Sequence, residues 1–137
     1  MKANARNILF RILLVAYLAA IAYLCLGKFD NISHVPGTIF GIRTDKVVHF
    51  LMFFPFPFLA FFSFDQITRK PWHSLLFSIV IFGIGCFIAA TTEVMQALLT
   101  SYRTGDIADF RADTLSMAIS SVLVLILDIL IKSCSKK

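Results

Sequence analysis

Ionisable and amide side chains gather in three short stretches of this chain: Asp45, Lys46 and His49; Glu93 and Gln96; and Arg103, Asp106, Asp109, Arg111 and Asp113. An imidazole set among carboxylates can accept and donate protons, which makes His49, Glu93 and Asp109 candidate acid, base or recognition groups. Lys46, Arg103 and Arg111 can take up the phosphate of a lipid head group, with Arg103 the best bidentate donor. Glu93, Asp106, Asp109 and Asp113 also offer oxygen, and His49 nitrogen, to a metal ion. That set suits magnesium or calcium better than zinc, although nearby arginines can neutralise the same carboxylates with no ion present.

The elements that must position these groups are hydrophobic. The 137 residues are 58% hydrophobic and 15% charged, with a mean hydropathy of +0.83, a composition foreign to soluble domains. Apolar runs cover about 8–26, 47–64, 75–99 and 115–131, each near the ~17–25 residues that cross a bilayer as a helix. The expectation is an all-α integral membrane protein, a single domain over 1–137, built as a four-helix transmembrane bundle. Lys2 and Arg6 precede the first run as in a secretory signal, but the run exceeds a typical signal core of ~7–15 residues and lacks a small-x-small cleavage site, so it is expected to remain a span.

Ionisable side chains at membrane depth cost roughly 2.5–3.5 kcal/mol each on insertion scales, so their collection toward one end of the runs calls for a reason. With both termini cytoplasmic, eight of the thirteen basic residues fall inside, and the outer loops carry Asp30, Asp45, Asp106, Asp109 and Asp113. This asymmetry and anionic inner-leaflet lipids account for the pI of about 9.4 without a nucleic-acid partner. Cys25, Cys86 and Cys134 belong to different depths and are expected to stay unpaired.

Local features refine the plan. Pro55 and Pro57 interrupt the second run, and the carbonyls of Leu51 and Phe53 should lose their partners as the helix bends. Gly85 and Ala89 form a small-residue step that lets another helix approach, and Cys86, Ala89, Glu93 and Gln96 recur at helical spacing on one face. Asp109, Asp113, Ser116 and Ser120 do the same in the last run. Arg11 is expected to snorkel to the interface, and Asp128 with Lys132 to form a simple i,i+4 pair.

Two accounts of the polar stretches stand side by side. In the structural one, Asp106 caps the last helix, Asp45 and Lys46 cap the second, Arg103 pairs with Asp106 or Asp109, and Glu93 and Gln96 knit helices together. In the functional one, the three stretches converge into an outward-facing polar pocket.

The ordered set Asp45-Lys46-x-x-His49-Phe50, Glu93-x-x-Gln96 and Arg103-x-x-Asp106-x-x-Asp109-x-x-x-Asp113 resembles the VanZ-like family of small multi-pass bacterial membrane proteins over about Asp45 to Ser120. Ser116 stands where that family often has glycine. The resemblance implies a cytoplasmic-membrane location and a link to the cell surface, the founding member being associated with teicoplanin resistance; it assigns no reaction, and fold alone assigns no function. The functional expectation is binding or modification of an envelope component, a lipid-linked or anionic surface molecule. A small proton-coupled permease and a non-catalytic membrane interaction subunit are the alternatives. Membrane lipids are the expected surroundings, and no protein partner is indicated.

Overall fold

The computed structural model describes residues 4–27, 37–68, 70–100 and 105–134. Its elements are α1 (Ala5–Leu26), a short hairpin of β1 (Thr38–Ile39) and β2 (Ile42–Arg43), α2 (Thr44–Phe53), α3 (Phe56–Phe64), α4 (Pro71–Leu99) and α5 (Ile107–Cys134). A single 3-10 turn, Asp65–Ile67, follows α3. Four helical segments are long and apolar enough to cross a membrane, the second being α2 and α3 together with that turn. This is the expected four-helix arrangement, and Cys86 and Cys134 carry free thiols.

The second span is broken rather than merely bent. Phe54 and Pro55 form the break, and Pro57 falls in the first turn of α3, where a helix needs no N–H from that position. Neighbouring helices answer part of the freed backbone. The Tyr17 hydroxyl donates to the Met52 carbonyl, and the Ser116 hydroxyl adds a second bond, at 2.5 Å, to the Phe50 carbonyl, which also accepts the Phe54 N–H.

The helices also begin earlier than hydropathy suggests. α2 starts at Thr44 and α5 at Ile107, so Asp45, Lys46, Asp109 and Asp113, which precede the apolar runs, are helical residues. α4 packs chiefly on α5, and α1 leans on α3. Gly85 makes the first of these contacts close: a Cβ there would lie 2.4 Å from Met117 Sδ and 3.0 Å from Phe56 Cε1. Phe53, Phe56, Phe61, Ala89, Met117 and Val124 form the apolar centre, whereas Ile12, Val15, Ile79, Phe87 and Val122 face outward, as lipid contact requires.

One end of the bundle is latched by polar contacts. Arg6 pairs with Asp65, and Asn7 Nδ2 donates to the Phe62 carbonyl at 2.9 Å and to Asp65 Oδ1 at 2.6 Å. Arg11 reaches toward the same end: its Nε donates to the Ser63 carbonyl at 3.1 Å, and its guanidinium lies 4.8 Å from the Phe64 ring centroid. The last carbonyls of α3 lack helical partners and draw it in. The Asp128–Lys132 pair is present at 2.5 Å, but it is part of a larger buried set in which Ser74 donates to Asp128 and Lys132 reaches Ser74 and Thr68.

Candidate functional site

The opposite end of the bundle holds the polar stretches. The first two turns of α2, the last two of α4 and the first two of α5 meet there, because α2 and α5 start where α4 stops. Helical spacing then turns Lys46 and His49, Glu93 and Gln96, and Asp109 and Asp113 toward a common interior. His49, Glu93, Gln96 and Asp109 are buried and Asp113 is fully so.

His49 is the hub. Its Nδ1 lies 3.1 Å from Asp113 Oδ1 and 3.9 Å from Glu93 Oε1, and its Nε2 lies 3.8 Å from Asp109 Oδ2. The contact of Nδ1 with Asp113 fixes the ring and turns Nε2 toward Asp109. Carboxylate, imidazole and a second carboxylate in this order can hold or move a proton at Nε2.

Lys46 crosses from α2 to the start of α5. Its ammonium pairs with Asp109, with Asp106 at 2.6 Å and with Asp45 at 3.5 Å, and Arg43 pairs with Asp45 at 2.9 Å. Asp106 stands just outside the last span, and its carboxyl is held below the usual carboxylate range, first by the hydrogen bond from Lys46 and then by the Ala108 N–H. That second bond, at 2.8 Å, is the helix cap expected of Asp106. By contrast, Arg43 occupies the N-cap position of α2 with no side-chain cap bond, so Asp45 and Lys46 serve as ion-pair residues and not as caps.

Glu93 and Gln96 tie the set to its surroundings. Glu93 Oε2 accepts the Asp106 backbone N–H at 2.8 Å, and Gln96 Nε2 donates to the Cys25 carbonyl on α1 at 3.0 Å. Glu93 Oε1, fully shielded from solvent, has no hydrogen-bond partner among the described residues. Gly105, absent from the sequence reading, permits this approach: a Cβ there would stand 2.7 Å from the Glu93 carbonyl oxygen. A glycine directly before a helix-capping aspartate was the available signal. Arg43 was missed as well, because the hairpin that brings it beside Asp45 has strands of only two residues.

The convergence is tight and largely closed, which corrects the picture of an open polar pocket with free cations. Lys46 is engaged by three carboxylates; Arg111 is exposed on α5 and makes no ion pair among the described residues; Arg103 lies outside the described residues. The cavity at this end, of about 310 Å³, runs between α4 and α5 with Ala90, Val94, Ala97 and Phe110 on its walls, and Glu93 and Asp106 are the polar side chains among its described lining residues. One imidazole nitrogen and one oxygen each from Glu93 and Asp109 lie within 4.8 Å of one another, as do single oxygens of Asp45, Asp106 and Asp109.

Four membrane-length helices with a buried acid–imidazole–lysine cluster at one end define a small multi-pass membrane protein. The chain belongs to the VanZ/LLP1 family, whose model matches residues 4–128. No curated protein and no solved structure matches it.

Proposed function

We propose that this VanZ-family protein acts on the cell envelope from the cytoplasmic membrane, with the His49 cluster facing away from the cytosol and binding or modifying a lipid-linked surface component, so that susceptibility to glycopeptides such as teicoplanin falls. The observation that carries this reading is the meeting of His49, Glu93, Asp109 and Asp113, drawn from three helices, around one imidazole. Burying that many ionisable groups is costly for a membrane protein, and such groups mark functional paths or sites. Charge asymmetry supports the orientation, since the opposite end carries the basic termini.

The balance of charge informs the ligand. Among the described residues, Asp45, Glu93, Asp106, Asp109 and Asp113 outnumber Lys46, Arg43 and His49, which favours a hydroxyl, amine or amide N–H of the envelope component over a bare phosphate. The apolar-walled cavity beside Glu93 and Asp106 suits an adjoining acyl or prenyl chain.

The test replaces His49, Glu93, Arg103 and Asp109 singly by alanine in cells whose glycopeptide susceptibility depends on the protein, with insertion and folding verified. A hydrogen bond to a charged group is worth about 1.5–3 kcal/mol, so each variant should lower ligand affinity about 10- to 100-fold and return susceptibility toward that of cells lacking the protein. Full protection by all four variants would remove the cluster from the function. Impermeant labelling of a cysteine introduced between residues 100 and 105 should succeed in intact cells, whereas Cys134 should react only after permeabilisation.

A second reading, proton-coupled transport, draws on the buried face of α5, where Asp109, Asp113, Ser116 and Ser120 are followed by Val124 and then Asp128. Val124 interrupts the polar line. Substrate-coupled proton flux in proteoliposomes would favour transport over one-sided binding.

A further inference from the structure

We propose that His49, Glu93 and Asp109 form a binding site for one divalent transition-metal cation of the zinc or manganese class. Three observations bear on it. The ligand atoms of these residues lie within 4.8 Å of one another, and all three residues are buried. Around an ion with ligands at ~2.0–2.2 Å, donor atoms stand roughly 3–4 Å apart, so a small side-chain closure completes the set. The second observation is Glu93 Oε1, shielded and without a hydrogen-bond donor, aimed at the cluster with His49 Nδ1 3.9 Å away. A cation satisfies it.

The third observation concerns the surroundings of the ligands. Metal-bound histidines almost always give their other ring N–H to a carboxylate, and Asp113, fully buried, takes that place behind His49. Glu93 is held through its other oxygen by the Asp106 N–H, and Asp109 through its other oxygen by Lys46, so each ligand is oriented by one atom and free at the next. One imidazole and two carboxylates favour zinc or manganese over magnesium or calcium, whose sites are built from oxygen. The ion's charge also offsets the excess of carboxylates.

This site coincides with the one assigned to envelope binding, but metal loading and susceptibility are separate readouts, so either can fail alone. The full chain is purified in detergent with His34→Gln and His73→Gln, stripped with chelator and titrated with Co2+ as an optical probe, with Zn2+ and Mn2+ as competitors. One Co2+ per chain is expected, displaced by Zn2+ or Mn2+. His49→Gln and Glu93→Gln should each weaken binding at least about tenfold, and Asp113→Asn, a positioning change, about 10- to 100-fold. A Cu2+-loaded sample of the same protein should show coupling to a single imidazole nitrogen, a readout that needs no change in the cluster. Absence of stoichiometric loading overturns the assignment. So does Cu2+ without nitrogen coupling, or binding that survives His49→Gln and Glu93→Gln but falls in Asp45→Asn, which would place the ion on the carboxylate-only group of Asp45, Asp106 and Asp109.

Discussion

At the scale of single residues, the cluster is a matter of which oxygen faces which donor. Asp106 illustrates this: its side chain accepts from Lys46 and from Ala108 N–H, and both bonds favour the charged form. Because its folded pKa lies below its unfolded value, the associated stability is fully present above the ordinary carboxylate range and is lost as pH falls through the folded value. Thermal unfolding in detergent should therefore show a loss for the wild type below about pH 4 that is reduced in Asp106→Asn, and identical acid profiles would contradict the linkage. The residue types of the cluster were legible in the sequence, since few explanations exist for His49, Glu93, Asp109 and Asp113 in or beside the ends of apolar runs. Their pairing was not. Lys46 and Asp106 are sixty positions apart, and only folding reveals that the lysine is already engaged.

At the scale of elements, four spans could be read from hydropathy because lipid demands length and apolarity together. Helix starts could not, since the apolar runs open near 47 and 115 whereas the helices begin at Thr44 and Ile107. The hairpin was hidden for a different reason: its turn, Phe40-Gly41, has both residues at positive φ, and phenylalanine gives no cue for that conformation. Two glycines show how closely the elements fit. Valine at Gly85 must displace the buried Met117 and Phe56, and overpacking of this kind costs about 1–3 kcal/mol, to be measured as a fall in unfolding midpoint. Alanine at Gly105 meets backbone instead of a flexible side chain, so it should pull the Asp106 N–H away from Glu93 and weaken cluster function as well as stability. A Gly105→Ala protein with unchanged stability and function would show that this approach is dispensable.

At the scale of the whole molecule, the ion pairs among the described residues are concentrated at the two ends, and hydroxyls such as those of Tyr17, Ser116 and Ser120 supply polar contacts between them. Ser74, Asp128 and Lys132 close one end; Lys46, His49, Glu93 and Asp113 close the other. The charge pattern of the chain had indicated two unlike ends, but the latch between Arg6 or Asn7 and Asp65 was invisible without coordinates, each residue resembling an ordinary interfacial one. The two ends are joined by rigid helices, and this gives the protein a built-in ruler: from Ser74 to Glu93 along α4 the rise is roughly 28 Å at ~1.5 Å per residue. A hydrocarbon slab of that depth leaves both networks in the head-group zone, while a thicker one must dimple or tilt the bundle. Reconstituted across lipids of increasing chain length, the protein should be most heat-resistant where slab and ruler agree and lose stability on either side.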